Sequence, residues 1–432
     1  MPARLDATKP GFARAFERLV ETKREMDADV DEIVRRIIAD VRRHGDAAVA
    51  RYTAEFDRLK VAPGAFRISR AKIRAGAATA PREARRSLVR AAKRIGDYHL
   101  RQRPKDEFWR DKAGARLGWR WTALSSVGLY VPGGRAAYPS SFLMNAIPAL
   151  VAGVERIAVV MPTPGGEIDP LLLAAAEILG LEEIHAIGGA QAVAALAFGT
   201  ASIAAVDKIV GPGNAYVAAA KRRVFGHVGI DAIAGPSEIL VVADAANDPA
   251  RIAADLMSQA EHDEASQAVL IVDDAGFGAR VDRAVDALLR TLPRRAIAAR
   301  SWRDNGAIIR VRRLTDALPL IDRIAPEHLE LCIARPDAFA RRVRHAGAIF
   351  LGREAPEAIG DYVAGPNHVL PTARTARFSS GLSVLDFMKR TSLIGLDARS
   401  LARIGPDAVA LARAEGLEAH ALSVAGRLKR GR

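Results

Sequence analysis

The stretch VGLYVPGGRAAYPSSFLMNAIPALVAGVERIAVVMPTP, residues 127–164, decides the fold. Its first residues are apolar and run into a glycine turn, which reads as a strand. SSFLMNAIPALVAGV (140–154) follows with helical apolar spacing, and ERIAVVMPTP (155–164) is an apolar strand stopped by prolines. The alternation continues. LLLAAAEILG (171–180) is a helix closed by Gly180, EIHAIGG (183–189) a strand and AQAVAALAFG (190–199) a helix. DKIVGPGN (207–214) is a strand with a glycine turn, AYVAAAKRRVFG (215–226) a helix, and ILVVAD (239–244) closes the series. Repeated strand–helix units imply a parallel sheet with helices on both faces.

A second series follows. IAADLMSQAEHDEASQ (252–267) reads as a helix, AVLIVDD (268–274) as a strand and RVDRAVDALLRTL (280–292) as a helix. NGAIIRV (305–311) and AGAIFLG (346–352) read as strands, and IDRIAPEHLELCI (321–333) leads into a helix. Residues 1–60 and 66–102 read as helices, and the chain from 382 to Leu428 is helical again. The expected class is α/β, with two Rossmann-like parallel-sheet domains, N-terminal helices and a small helical C-terminal tail. The expected division is a discontinuous core, 1–126 and 239–381, an inserted domain, 127–238, and a tail, 382–432.

Composition narrows the partners. The 432 residues carry a formal charge of +14, but the arginines are dispersed in DVRRHGD (40–46), PREARRSLVR (81–90) and PDAFARRVRHAG (336–347). They read as solvated helix faces, and LKRGR (428–432) is only a short basic tail. Aromatics are 5% of the chain and form no stripe, which argues against a nucleic-acid binder. No apolar run reaches the roughly 18 residues that span a bilayer, and the N-terminus lacks the apolar centre of a secretion signal. A cytoplasmic protein without a membrane partner is expected. The single cysteine, Cys332, excludes an intrachain disulfide.

Several polar groups stand out against this background. APEHLEL (325–331) sets Glu327 beside His328 in an apolar run; Pro326 there reads as a helix start with Glu327 at the positive end of the dipole. Gln259 and His262, three apart, would share one helix face. Asp361 and His368 fall in a Gly- and Pro-rich loop, IGDYVAGPNHVLP, beyond a strand. Glu415 and His420 lie in the tail, in AEGLEAHALS. Gln259, His262, Asp361 and His420 form one candidate set of N and O ligands, which zinc or manganese accepts. The glycine turns YVPGGRAAYPSS, IGGAQA, IVGPGNAYV and AGPSE suit a phosphate or dinucleotide, although no G-x-G-x-x-G fingerprint is present.

Longer motifs carry a resemblance. VGLYVPGGRAAYPSSFLMNAIPALVAGV, VGPGNAYVAAAK, AGPSEILVVAD, QAEHDEASQ, APEHLEL and GDYVAGPNHVLPT, in this order, closely resemble histidinol dehydrogenases from about residue 25 to the end. The resemblance implies oxidation of L-histidinol to L-histidine through histidinal, with two NAD, the last step of histidine biosynthesis. It implies one zinc per subunit and a homodimer whose tails complete the partner's site. By position, Gln259, His262, Asp361 and His420 resemble the zinc ligands, and Glu327 and His328 the catalytic base pair. Tyr130, Gln191 and Asn214 resemble NAD contacts. Ser237, His328 and Glu415 resemble substrate contacts, together with the four ligand positions. His368 falls in a family motif without an assigned role. The tail wording ALSVAGRL departs from the family's usual one and touches no matched site residue.

Overall fold

The computed structural model describes residues 1–21, 28–133, 138–233 and 235–428. Residues 134–137 of the YVPGGRAAYPSS turn, Ala234 of AGPSE and residues 429–432 of the basic tail lie outside them.

In chain order the strands are β1 (Ala3–Asp6), β2 (Glu107–Arg110), β3 (Arg116–Ala123), β4 (Ser126–Tyr130), β5 (Arg156–Val160), β6 (Ile184–His185) and β7 (Lys208–Val210). There follow β8 (Gly229–Ile230), β9 (Glu238–Ala243), β10 (Gln267–Val272), β11 (Ala307–Arg310), β12 (His328–Cys332), β13 (Ala348–Leu351) and β14 (Met388–Gly395). One sheet is parallel in the order β6-β5-β4-β7-β8, and a second is parallel in the order β1-β11-β10-β9-β12-β13. A third, β14-β3-β2, is antiparallel. The two Rossmann-like parallel sheets expected from the alternating pattern are therefore present.

Each parallel sheet is apolar on both faces because helices cover both. Around the five-stranded sheet, one core gathers Leu143, Ile147, Leu173 and Ile95, and the other gathers Val34, Ile37, Val193 and Val217. Helices Ala28–His44 and Arg82–Leu100 pack on the helices that cover this sheet, far along the chain from its strands. The six-stranded sheet packs Ile239, Leu256, Leu270 and Phe277 on one face and Leu240, Ile271, Ile321 and Leu329 on the other. Each such fully buried side chain contributes about 1.5–3 kcal/mol by leaving water. Gly180 ends helix Pro170–Leu179 in the left-handed conformation, as its position in the sequence suggests.

Four local expectations are corrected. First, the N-terminal region read as all helix contains β1, which pairs with β11 at the rim of the six-stranded sheet. Second, ILVVAD does not close the first series. It is β9 and lies between β10 and β12, because its wholly apolar run suits the middle of the larger sheet. Third, the tail begins as a strand: β14 pairs with β3 along Met388–Ala123 to Gly395–Arg116 before helices Ala398–Ala414 and Glu418–Leu428. Fourth, APEHLEL does not start a helix. Ala325 ends helix Leu318–Ile324 in the left-handed region, and the chain enters β12 at His328. Pro326 stops one element there instead of opening another.

Candidate active site

The proposed cofactor residues collect at the carboxyl ends of the five-stranded sheet. From β4 the chain winds outward through β5 and β6, then returns to the other side of β4 as β7. Such a reversal leaves a crevice at the strand ends, the usual ligand position in open α/β sheets. Tyr130 ends β4, and its hydroxyl accepts the Gly189 N–H at 3.0 Å. Asn214 follows β7 and caps helix Ala215–Val224, its Oδ1 accepting the N–H groups of Tyr216 and Val217. Gln191, in the first turn of helix Gly189–Phe198, is 1% exposed, and neither polar atom of its amide has a hydrogen-bond partner. A buried amide in that state is expected to meet a ligand. Gly211 has φ +115, and a side chain there would strike the Tyr130 carbonyl. Backbone that close to a crevice suits a dinucleotide.

The catalytic candidates lie elsewhere, at the amino ends of β9 and β12. Those strands are neighbours, with His328 opposite Ile239. Glu327 Oε2 accepts the Glu238 N–H at 2.9 Å, and His328 Nδ1 donates to the Glu238 carbonyl at 2.9 Å. One β9 residue thus holds both members of the pair. Glu327 is the bend residue before β12 and His328 is the strand's first residue, with Glu327 Oε2 3.6 Å from His328 Nδ1. His328, Glu330 and Cys332 share one face, while Leu329 and Leu331 enter the apolar core on the other.

Helices return further groups to this edge. Gln259 is on helix Pro249–Ala260, buried with neither amide atom hydrogen-bonded. His262 is not on that helix, as its spacing suggested; the helix stops at Ala260, and His262 sits in the following turn with Nδ1 3.4 Å from Ser237 Oγ. Asp361 belongs not to a loop but to the short helix Glu357–Tyr362, while His368 lies in coil. His368 Nδ1 donates to the Asp361 carbonyl at 3.0 Å and lies 3.4 Å from Oδ1. Its Nε2 accepts from Ser141 Oγ at 3.1 Å, on the helix that follows β4. His368 therefore joins the catalytic edge of one sheet to the cofactor edge of the other.

One participant escaped the sequence reading. Glu357 places Oε1 3.6 Å from His328 Nε2, and its Oε2 accepts from Ser258 Oγ at 3.2 Å. Ligand atoms of His328, Glu357 and Asp361 lie within 4.8 Å of one another. The four-residue spacing from Glu357 to Asp361 was the available signal, since it puts both acids on one helical face. His328 Nε2 and Glu357 Oε1 are buried without hydrogen bonds. Two acids, two imidazoles and an unpartnered amide oxygen form a donor set that fits a divalent cation, zinc included.

Electrostatics follow from burial. Burial pushes the Glu327 carboxyl up to about 7; His328 opposes this, and Asp361 and Glu357 add to it. Burial lowers His262 below the usual imidazole range, against the pull of Asp361. Burial would also raise Asp361, but the His368 hydrogen bond and the imidazoles of His328 and His262 outweigh it and hold the carboxyl low. Cys332 is buried, and burial, then Glu330 and Asp255, push its thiol far up. It sits on β12, not on a helix, and stays a thiol. Cys332→Ser is expected to keep at least about half of the protein's activity, because only a thiolate is an effective nucleophile. Loss of most of the activity in a steady-state assay would overturn this.

Glu415 and His420 do not join the cluster within one chain. Both are exposed, Glu415 at the end of helix Ala398–Ala414 and His420 on helix Glu418–Leu428. Among the described residues no hydrogen bond or ion pair links either side chain to Gln259, His262 or Asp361.

Comparison with known proteins decides the family. The histidinol dehydrogenase family model matches residues 20–428. The chain belongs to the histidinol dehydrogenase family. It is an oxidoreductase of histidine biosynthesis. A histidinol dehydrogenase of Rhodospirillum rubrum is 64% identical over 432 residues, covering 100% of both chains. One from Ruegeria pomeroyi is 61% identical over 430 residues, covering 100% of this chain and 99% of its own. The crystal structure of histidinol dehydrogenase from Elizabethkingia anophelis superposes with a TM-score of 0.94 at 33% identity, covering 99% of this chain and 98% of its own. No helix among the described residues is long and apolar enough to cross a membrane.

Proposed function

We propose that the enzyme oxidises L-histidinol to L-histidine through bound histidinal, with two NAD and one zinc per subunit. The observation that carries this reading is the buried Glu327–His328 pair abutting a cluster of N and O donors, with the unpartnered Gln259 amide beside it. We assign Gln259, His262, Asp361 and the tail's His420 as metal ligands and Tyr130, Gln191 and Asn214 as NAD contacts. We assign Ser237, His328, Glu415 and the ligand positions to the substrate.

Gln259, His262, Asp361 and His420 would hold the zinc, which would supply Lewis-acid positioning of the substrate worth several kcal/mol. Tyr130, Gln191 and Asn214 would hold NAD, which would supply the hydride acceptor. His328 donates an Nδ1–H hydrogen bond to the Glu238 carbonyl and so turns an Nε2 lone pair toward the site. That nitrogen takes the hydroxyl proton as hydride leaves the carbinol carbon. Glu327, as a carboxylate, then draws a proton from water, whose oxygen adds to the aldehyde. His328, its first proton released to solvent, takes a hydroxyl proton of the hydrate as the second hydride leaves to a second NAD, and the acid forms.

The tail supports a homodimer. Leu411 and Leu422 on its helices are 64% and 58% exposed, and Ile394 on β14 is 76% exposed. These side chains would be covered by a second copy, and the exposed Glu415 and His420 would enter that copy's site. In connectivity we divide the chain as 1–126 with 239–381, 127–238, and 382–432; helices within 28–100 pack on the helices of 127–238. We assign the enzyme to the cytoplasm, where a chain with a lone buried thiol needs no oxidising compartment.

The deciding assay follows NADH with L-histidinol. Two NADH per substrate are expected, with loss of at least about 90% of the rate after chelation and its recovery with zinc, since metal removal takes away the substrate's grip. One NADH per substrate, or a rate indifferent to exhaustive chelation, would refute the reading.

A further inference from the structure

A second group of acids lies behind the cluster. Glu330 is two residues beyond His328 on the same face of β12 and is 0% exposed. Its Oε1 accepts the backbone N–H of Glu357 at 2.5 Å, and its Oε2 lies 3.9 Å from Cys332 Sγ. Asp255, on helix Pro249–Ala260, sets a carboxyl oxygen within 4.8 Å of the Glu330 carboxyl. Asp255 is also one turn before Gln259, so the pair ties together three elements: β12 with His328, the helix with Gln259, and the helix with Glu357 and Asp361.

Stability is a weak account of this arrangement. Apolar groups of similar volume replace buried polar pairs at little cost and often with a gain. Nor is it a second cation site, although Asp255, Glu330 and Cys332 bring their ligand atoms within 4.8 Å. Cys332 stays a thiol, and Glu330 Oε1 is committed to the Glu357 N–H.

We propose that Glu330, buttressed by Asp255, is a positioning residue: it clamps the backbone of Glu357 and so fixes where helix Glu357–Tyr362 presents Glu357 and Asp361 to the cation. This deepens the metal reading given above and rests on it. Groups that orient ligands in this way typically govern affinity by 10–100-fold. Gln at 330 keeps an oxygen for the Glu357 N–H and gains an amide donor for Asp255, whereas Leu keeps neither.

The test measures zinc affinity of the apo-protein against a competing chromophoric chelator, together with amide hydrogen exchange of the peptide spanning 355–363. Glu330→Leu is expected to bind zinc about 10–100-fold more weakly and to exchange faster in that peptide, with β9 and β10 unchanged. Glu330→Gln is expected within about threefold of the unsubstituted protein on both readouts, since the acceptor survives. Wild-type affinity and exchange in Glu330→Leu, or equal damage in Glu330→Gln, overturns the proposal. Should Glu330→Leu not fold, Glu330→Asp is read instead; its shorter reach is expected to weaken zinc by at least about threefold, and unaltered affinity overturns the proposal. Failure of the unsubstituted apo-protein to bind zinc sinks the metal reading, and the exchange measurement then decides the clamp by itself.

Discussion

Glu327→Gln slows the oxidation of histidinal by about 10²–10⁴-fold, the range for a lost general base, and leaves the first hydride transfer from histidinol much less affected. The two steps ask for different bases. His328 presents Nε2 to the site because Nδ1 is committed to the Glu238 carbonyl. Glu327 keeps one oxygen on the Glu238 N–H, and on the proposed chemistry the other meets the attacking water. Glutamine preserves the first contact and removes the charge. The pH profile sharpens the test. With the folded carboxyl raised to about 7, the active carboxylate form is scarce below that pH and accumulates above it. The aldehyde step of the parent enzyme therefore rises with pH through the neutral region and levels off, and a bound cation moves this midpoint downward by favouring the carboxylate. The glutamine variant loses the dependence. Single-turnover measurements starting from histidinol and from histidinal separate the steps, and equal damage to both would refute the division of labour.

The second large effect concerns the tail. His420→Ala lowers activity by about 10²-fold or more, as expected for a lost ligand, and Asp361→Ala does the same. Mixed after denaturation and refolding, the two inactive proteins recover activity. In a mixed dimer, the site with intact Asp361 receives the tail with intact His420, and the other site has neither. Half of randomly formed dimers are mixed and each holds one working site of two, so recovery approaches about a quarter of the parent rate. No recovery, with dimers present by light scattering, would mean that each tail serves its own subunit. The exposure of Glu415 and His420 in the single chain is the physical ground for expecting exchange.

Much of the fold was legible because parallel sheets write themselves into sequence as apolar runs between helices. β5, β7, β10, β11 and β13 fall where EriAVV-type runs and glycine turns placed them. Errors came where a local signal had two meanings. Pro326 can open a helix or follow one, and it was given the first meaning. The alternation His328, Glu330, Cys332 against Leu329, Leu331, Ile333 is the period of a strand and outweighs it. β1 and β14 are short or exposed edge strands whose pairing depends on partners more than 250 residues away, which no local pattern reports. In the site, Asp361 gathers with His328 and Glu357, and Glu357 was missed although its spacing from Asp361 was readable. The roles of Glu238, through its carbonyl and N–H, could not be read, because backbone groups carry no residue identity.

The His368 bridge has a consequence for the order of events. Its ring spans the gap between the Asp361 carbonyl and Ser141, so the two sheets cannot swing apart without breaking that span. On the proposed chemistry, spent coenzyme must then be traded for fresh at the outer lip of the crevice while the half-oxidised intermediate stays caged against the opposite wall. On that chemistry, an aldehyde kept from bulk solvent would not condense with cellular amines.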